Sequence, residues 1–146
     1  MEVIVAPEPM DYEIRGMYRF ATLRDDSGLA EAVRDQWPEN PRMLMIAAEP
    51  ENSTYTENLA MDLATALVKA DLPVGEVRVL QRETADVAAQ LIAGADVIVL
   101  ADGEGEGADD ERAAFFGELD MPALLEGAKE GVLVIALSDA ARDAIC

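Results

Sequence analysis

Short apolar runs alternate with longer amphipathic stretches along this chain. Residues 2–6 (EVIVA) read as a first strand, ended by Pro7 and Pro9. Residues 42–48 (RMLMIAA) and 96–100 (DVIVL) are nearly unbroken apolar runs, the signature of strands covered on both faces. Residues 75–80 and 131–137 (GVLVIAL) complete a set of five. Between them lie segments with helical spacing. Leu29, Val33 and Trp37 recur four apart over 28–37, where Asp26 or Ser27 can cap and Pro38 stops the helix. Leu59, Leu63 and Leu67 mark the buried face of a helix over 55–70, with Thr54 and Glu57 at capping-box spacing. Thr84 is placed to cap a helix reaching Ala93, and residues 109–129 read as helix interrupted near Asp120, Met121 and Pro122. A short helix follows Ser138. Residues 10–24 mix Tyr12, Ile14, Met17, Tyr18 and Phe20 among charges, and read as irregular with a small extended piece.

Five strands alternating with helices specify an α/β fold, a three-layer sandwich around a mainly parallel five-stranded sheet. In such sheets ligands bind in loops at the carboxyl ends of the strands. Those loops begin here at Pro7, Glu49, Gln81, Ala101 and Ser138. A Walker-type glycine loop is missing, as is GxGxxG after the first strand. A phospho-receiver is excluded too, because Gln81 and Arg82 follow the third strand where that fold needs an aspartate.

Composition narrows the chemistry. The 146 residues suit one domain, spanning 1–146, and 51% apolar content excludes a disordered chain. No apolar run approaches the roughly 18 residues of a membrane span, and the first residues lack the basic start of a secretion signal. Cys146 is the single cysteine, which excludes a disulfide within the chain and fits a reducing compartment, so a cytoplasmic location is expected. Eleven basic against thirty acidic residues leave a net charge of −19. Such a surface repels phosphate backbones and anionic membranes, so neither nucleic acid nor membrane is expected as a partner. Histidine is absent, which removes any imidazole of this chain as base, acid or metal ligand.

Three constellations carry candidate chemistry. Ser138 follows a strand and opens a helix, a position that exposes a nucleophile to helix amides and equally suits a helix cap. Residues 102–111 (DGEGEGADDE) place six carboxylates at a strand's carboxyl end. Their spacing is not that of a calcium loop, and Asp109, Asp110 and Glu111 suit the positive start of the next helix, so no metal site and no cofactor are expected. Glu49, Asn52 and Tyr55 follow the second apolar strand and are candidates to line the same cleft, with Asn52 also a natural helix-start residue.

From 37 to 145 the sequence resembles the peptidase E family of serine peptidases, which includes aspartyl dipeptidases and cyanophycinases. The stretches that carry the resemblance are WPENPRMLMIAAEPEN, TENLAMDLATALVKADLPV, QLIAGADVIVLADG and AAFFGELDMPALLEGAKEGVLVIALSDAA. The resemblance implies a class I glutamine amidotransferase-like fold, close to flavodoxin-like. It places Ser138 at the nucleophile position, Ala101, Asp102 and Gly103 at a glycine-rich oxyanion turn, and the amide of Asp139 as a second oxyanion donor. The departures are specific. Ala101 and Asp102 stand where the family has glycines, and the family's Ser-Ala-Gly has become Ser138, Asp139 and Ala140. The family's histidine and acidic partner lie in a continuation past the serine, whereas eight residues follow Ser138 here. The resemblance therefore implies a peptidase E-like domain lacking the family's C-terminal part and hydrolytically inactive as a single chain. Small peptides are its implied ligands. The alternatives are an interaction or homo-oligomerisation module on the same fold, or the N-terminal fragment of an active small-peptide serine peptidase.

The acid excess, with only two lysines, also sets a stability expectation. Repulsion among like charges destabilises the compact state, and salt screens it. Thermal melts should rise in midpoint between low and about 1 M monovalent salt.

Overall fold

The computed structural model describes residues 2–146. Its centre is a five-stranded parallel sheet. β1 (Val3–Val5), β4 (Arg42–Ile46), β5 (Glu76–Leu80), β6 (Val97–Leu100) and β7 (Leu133–Ala136) lie in the order β1-β7-β6-β4-β5. Every adjacent pair is parallel, with Met43 opposite Val97, Val97 opposite Leu133 and Val3 opposite Val134. This is a three-layer α/β sandwich of flavodoxin-like type, all-parallel where the sequence pattern required only a mainly parallel sheet.

Alternation along the strands splits the core in two. Met43, Met45, Val97, Val99 and Ile135 point to one face, where they meet Leu29 and Val33 of α1 (Leu29–Val33) and Leu63 and Leu67 of α2 (Ser53–Lys69). Leu44, Ile46, Ile98, Leu100 and Val134 point to the other. There they pack on Ile92 of α3 (Ala88–Gly94), Phe115 of α4 (Ala108–Leu119), Met121 of α5 (Met121–Glu126) and Ala141 of α6 (Asp139–Asp143).

Several local expectations need correction. The segment read as irregular is an antiparallel hairpin, β2 (Met10–Arg15) and β3 (Tyr18–Leu23), paired from Met10 with Leu23 to Arg15 with Tyr18. It packs on α2 through the buried Ala21, whose carbonyl accepts from Lys69 Nζ at 3.1 Å. The helix expected over 28–37 is α-helical only to Val33 and ends in a 3-10 turn, Arg34–Gln36. The long helix begins at Ser53, not at residue 55. Its cap is Asn52, whose Oδ1 accepts from Tyr55 N at 3.3 Å, in place of the Thr54–Glu57 box. Thr84 lies inside a 3-10 turn, Arg82–Val87, that precedes α3, and its hydroxyl accepts from the Gln81 amide at 3.0 Å. The break between α4 and α5 falls where the sequence placed it, at Asp120 with φ 52. Among the described residues, no helix is long and apolar enough to cross a membrane.

At the amino ends of the strands Asp96 acts as a clamp. Its carboxylate accepts from Arg42 N at 2.9 Å and from Lys129 Nζ at 2.8 Å. The amide hydrogen bond first, and then the ammonium, hold its pKa below the ordinary aspartate value. A group whose folded pKa is depressed contributes stability that is complete above its unfolded value of about 3.9 and disappears as pH falls through the folded value. Asp96→Asn should therefore lower stability at neutral pH and lose part of the decline that the native protein shows on acidification below about pH 4. Urea unfolding of both proteins across that range measures it.

Candidate functional site

The carboxyl ends of the strands gather the candidate residues, but not all into one place. A cleft of about 460 Å³ opens beside the ends of β6 and β7. Asp102 and Gly103 form one wall, Tyr55 and Leu59 of α2 a second, and Leu137 the end of β7. The hairpin and its flanking residues close the cleft with Glu8 before it, Asp11 and Tyr12 on it, and Arg24 after it. The hairpin contribution could not be anticipated while residues 10–24 read as irregular. Asn52 opens instead on a neighbouring depression that it shares with Tyr55, Arg19 and Glu104.

Ser138 and Asp139 do not line the cleft. Ser138 is half-buried at the start of α6, and its Oγ accepts from Ala141 N at 3.0 Å, the bond of a helix cap. Its backbone is extended, with φ −160 and ψ 162, so the strained turn that lifts a nucleophile out of a sheet is not formed here. The Asp139 carboxylate is exposed and lies 3.5 Å from the Arg142 guanidinium on the next turn.

Gly103 is held by sterics. A Cβ at that position would overlap the Cβ of Ala108, the first residue of α4, and would sit 3.2 Å from Glu49 Oε1. Glu49 lies against the acidic loop itself, where its carboxylate accepts the backbone amide of Glu104. One loop amide on the strand end is thus occupied by the chain's own carboxylate. Among the described residues, no three carboxylate or thiol groups converge in a way that could hold a metal ion.

The residue that organises the loop is Arg112 of α4. It occupies the buried stripe of that helix together with Ala108, Phe115 and Phe116, and its side chain is 2% exposed. From there Nη2 donates to the Ala101 carbonyl at 3.1 Å and approaches Asp102 at 3.6 Å, while Nη1 donates to Asp109 at 2.9 Å. Its Nε has no protein partner. Arginine here neutralises part of the acidic loop and satisfies the carbonyl of Ala101, just past the end of β6. A signal was present in the sequence, since 108, 112, 115 and 116 follow helical spacing and Arg112 breaks the apolar character of that stripe.

Electrostatics give the cleft its sign. Burial raises the Tyr55 pKa above the ordinary tyrosine value, and the charges of Asp102, Glu104 and Glu49 add to the effect. Arg24, the one cation on the cleft wall, is already engaged. Its Nε and Nη2 each donate to the Asp26 carboxylate at 3.0 Å, and Nη1 donates to the Glu8 carbonyl at 3.2 Å. Glu8, Asp11 and Asp102 bring three carboxylates to the lining against this one arginine, with Glu8 3.8 Å from Arg24 and Asp102 3.6 Å from Arg112, and Tyr12 and Tyr55 stand beside them. Such a pocket attracts cations through charge and ring faces.

The close approach at Gly103 has a direct test. Gly103→Ala should destabilise the fold by about 1–3 kcal/mol through overpacking against Ala108. Ala108→Gly in the same chain should recover part of that loss, because it removes the atom in the way. Chemical denaturation of the single and double variants reads both effects. Comparison with family models, with curated proteins and with solved structures gives no match, so the chemistry of this cleft is read from its own residues.

Proposed function

We propose that this chain is a peptidase E-like domain that binds small peptides by their ammonium end and does not hydrolyse them. The observation that carries the binding half is the cleft at the ends of β6 and β7. Glu8, Asp11 and Asp102 line it with Tyr12 and Tyr55, and its one arginine is tied to Asp26 and Glu8. The surplus of acidic over basic lining residues favours a protonated amine over the anionic side chain of an acidic dipeptide.

Two observations support the catalytic silence. Acyl transfer by a serine needs a group that takes the hydroxyl proton and donors that hold the developing oxyanion. The chain has no histidine, and the Ser138 hydroxyl serves as a helix cap. On the donor side, the Glu104 amide is already bonded to Glu49, and the residue after Ser138 is an aspartate. Negative charge developing at this end of the sheet meets more negative charge.

The test has two arms. Dipeptide hydrolysis by the purified chain should stay at background and be unchanged in Ser138→Ala, which should instead lose about 0.5–2 kcal/mol of stability as the cap is removed. Turnover above background that disappears in Ser138→Ala would overturn the silence. In the second arm, titration calorimetry should detect binding of a dipeptide amide with a free amino group that is abolished by N-acetylation and weakened in Asp102→Asn. Equal behaviour of free and acetylated peptides would overturn the cationic reading.

A further inference from the structure

The cleft has an apolar side that its charges do not explain. Pro9, Met10, Leu59 and Leu137 line it together with the carboxylates. Pro9 and Leu137 are buried, and Met10 and Leu59 are half-buried. Leu137 belongs to the core cluster on the α1 and α2 face of the sheet, and Met10 and Leu59 pack against that same cluster. The apolar lining is therefore the margin of the core where it reaches the cleft. Separate elements fix it: Met10 opens β2, Leu59 lies on α2 and Leu137 follows β7. Tyr55 and Leu59 are four apart on α2, so a ring and an aliphatic side chain share one helix face toward the cleft.

We propose that the cleft selects short peptides whose first residue carries a bulky apolar side chain, held by Met10, Leu59 and Leu137 while the ammonium lies on the acidic side. The inference rests on the ammonium-binding reading given above and adds the choice of side chain to it. Strand register sets the two regions side by side. β6 and β7 pair Leu100 with Ala136, so Leu137 leaves the end of one strand where Ala101 and Asp102 leave the end of its neighbour. Adjacent strands are about 4.8 Å apart. In a peptide the side chain of the first residue is the substituent nearest the ammonium, and it spans a gap of that size. The cleft, at about 460 Å³, also has the build of a small-molecule site, in which apolar and aromatic groups supply most of the lining and a few polar groups fix orientation.

The other side-chain classes fit less well. Glycine leaves the apolar lining in water. Aspartate or glutamate adds a carboxylate to a lining that already holds Glu8, Asp11 and Asp102. Lysine covers apolar surface with its methylene stem but must keep its charged head in water or paired. Leucine or phenylalanine takes its whole side chain out of water, and that burial is the source of the selectivity.

Titration calorimetry with leucyl-glycine amide and glycyl-glycine amide, each with a free and an acetylated amino group, separates the two ideas. The native chain should bind the free leucyl peptide about tenfold or more tightly than the free glycyl peptide. It should also bind the leucyl peptide more tightly than lysyl-glycine amide. Leu59→Gln and Met10→Gln should each lower the ratio of leucyl to glycyl affinity, with circular dichroism confirming the fold. Either variant alone suffices for that comparison if the other fails to fold. Equal affinity for the free leucyl and glycyl peptides, with binding still abolished by acetylation, would overturn the side-chain selection and leave the ammonium reading standing. Binding that ignores acetylation, or no binding of any peptide, would overturn the ammonium reading and this inference with it. Tighter binding of the lysyl peptide would show that charge alone selects, and an undiminished leucyl preference in the folded variants would show that the apolar lining is not the contact; either result would overturn the proposal.

Discussion

Every side chain of β4 from Met43 to Ile46 and of β6 from Val97 to Leu100 is buried, and this two-sided burial governs the rest of the layout. A strand with both faces covered needs helices above and below the sheet. The even spacing of Met43 and Met45 therefore selects α1 and α2 as one layer, and Leu44 and Ile46 select α3 to α6 as the other. Each such side chain contributes about 1.5–3 kcal/mol on leaving water. A polar group that enters this interior without a partner costs free energy, which pushes chemistry to the two ends of the strands.

The two ends solve different problems. At the amino end, Asp96 is a single acceptor that joins β4 to the segment before β7 through Arg42 N and Lys129. At the carboxyl end the surplus of carboxylates must be managed. Arg112 does this from inside the helix layer, where it reaches Ala101, Asp102 and Asp109 together. Glu49 binds the amide of Glu104, and the missing side chain at Gly103 lets α4 start close beneath the loop. An acidic run of six carboxylates in ten residues is thereby folded against the sheet by one cation and one backbone contact. The same arrangement leaves Asp102 on the cleft wall and gives the cleft its negative character.

The charge of the chain also links the cleft to the outer surface. A body at −19 favours cationic ligands in its concave regions and keeps copies of itself apart at low salt. The hairpin itself is neutral, Asp11 and Glu13 balancing Arg15 and Arg19, and it supplies Asp11 and Tyr12 to the cleft.

The layers, the five strands and the break at Asp120 were legible in the sequence because burial imposes periodicity: RMLMIAA and DVIVL have no polar face to expose, and Leu59, Leu63 and Leu67 recur at helical spacing. The position of Ser138 at a strand-to-helix junction was legible for the same reason. The hairpin was harder to read, although Met10, Tyr12 and Ile14 alternate with Asp11, Glu13 and Arg15, because a strand exposed along most of its length lacks a buried face to enforce the pattern. Which side chains share a cleft was not legible at all. Tyr12 reaches the carboxyl end of the sheet because the hairpin folds over α2, and Ser138 caps α6 and does not line the cleft. Periodicity is a local consequence of burial and is written along the chain, whereas the company that a polar side chain keeps depends on contacts between residues far apart in sequence, which the packing of the layers alone decides.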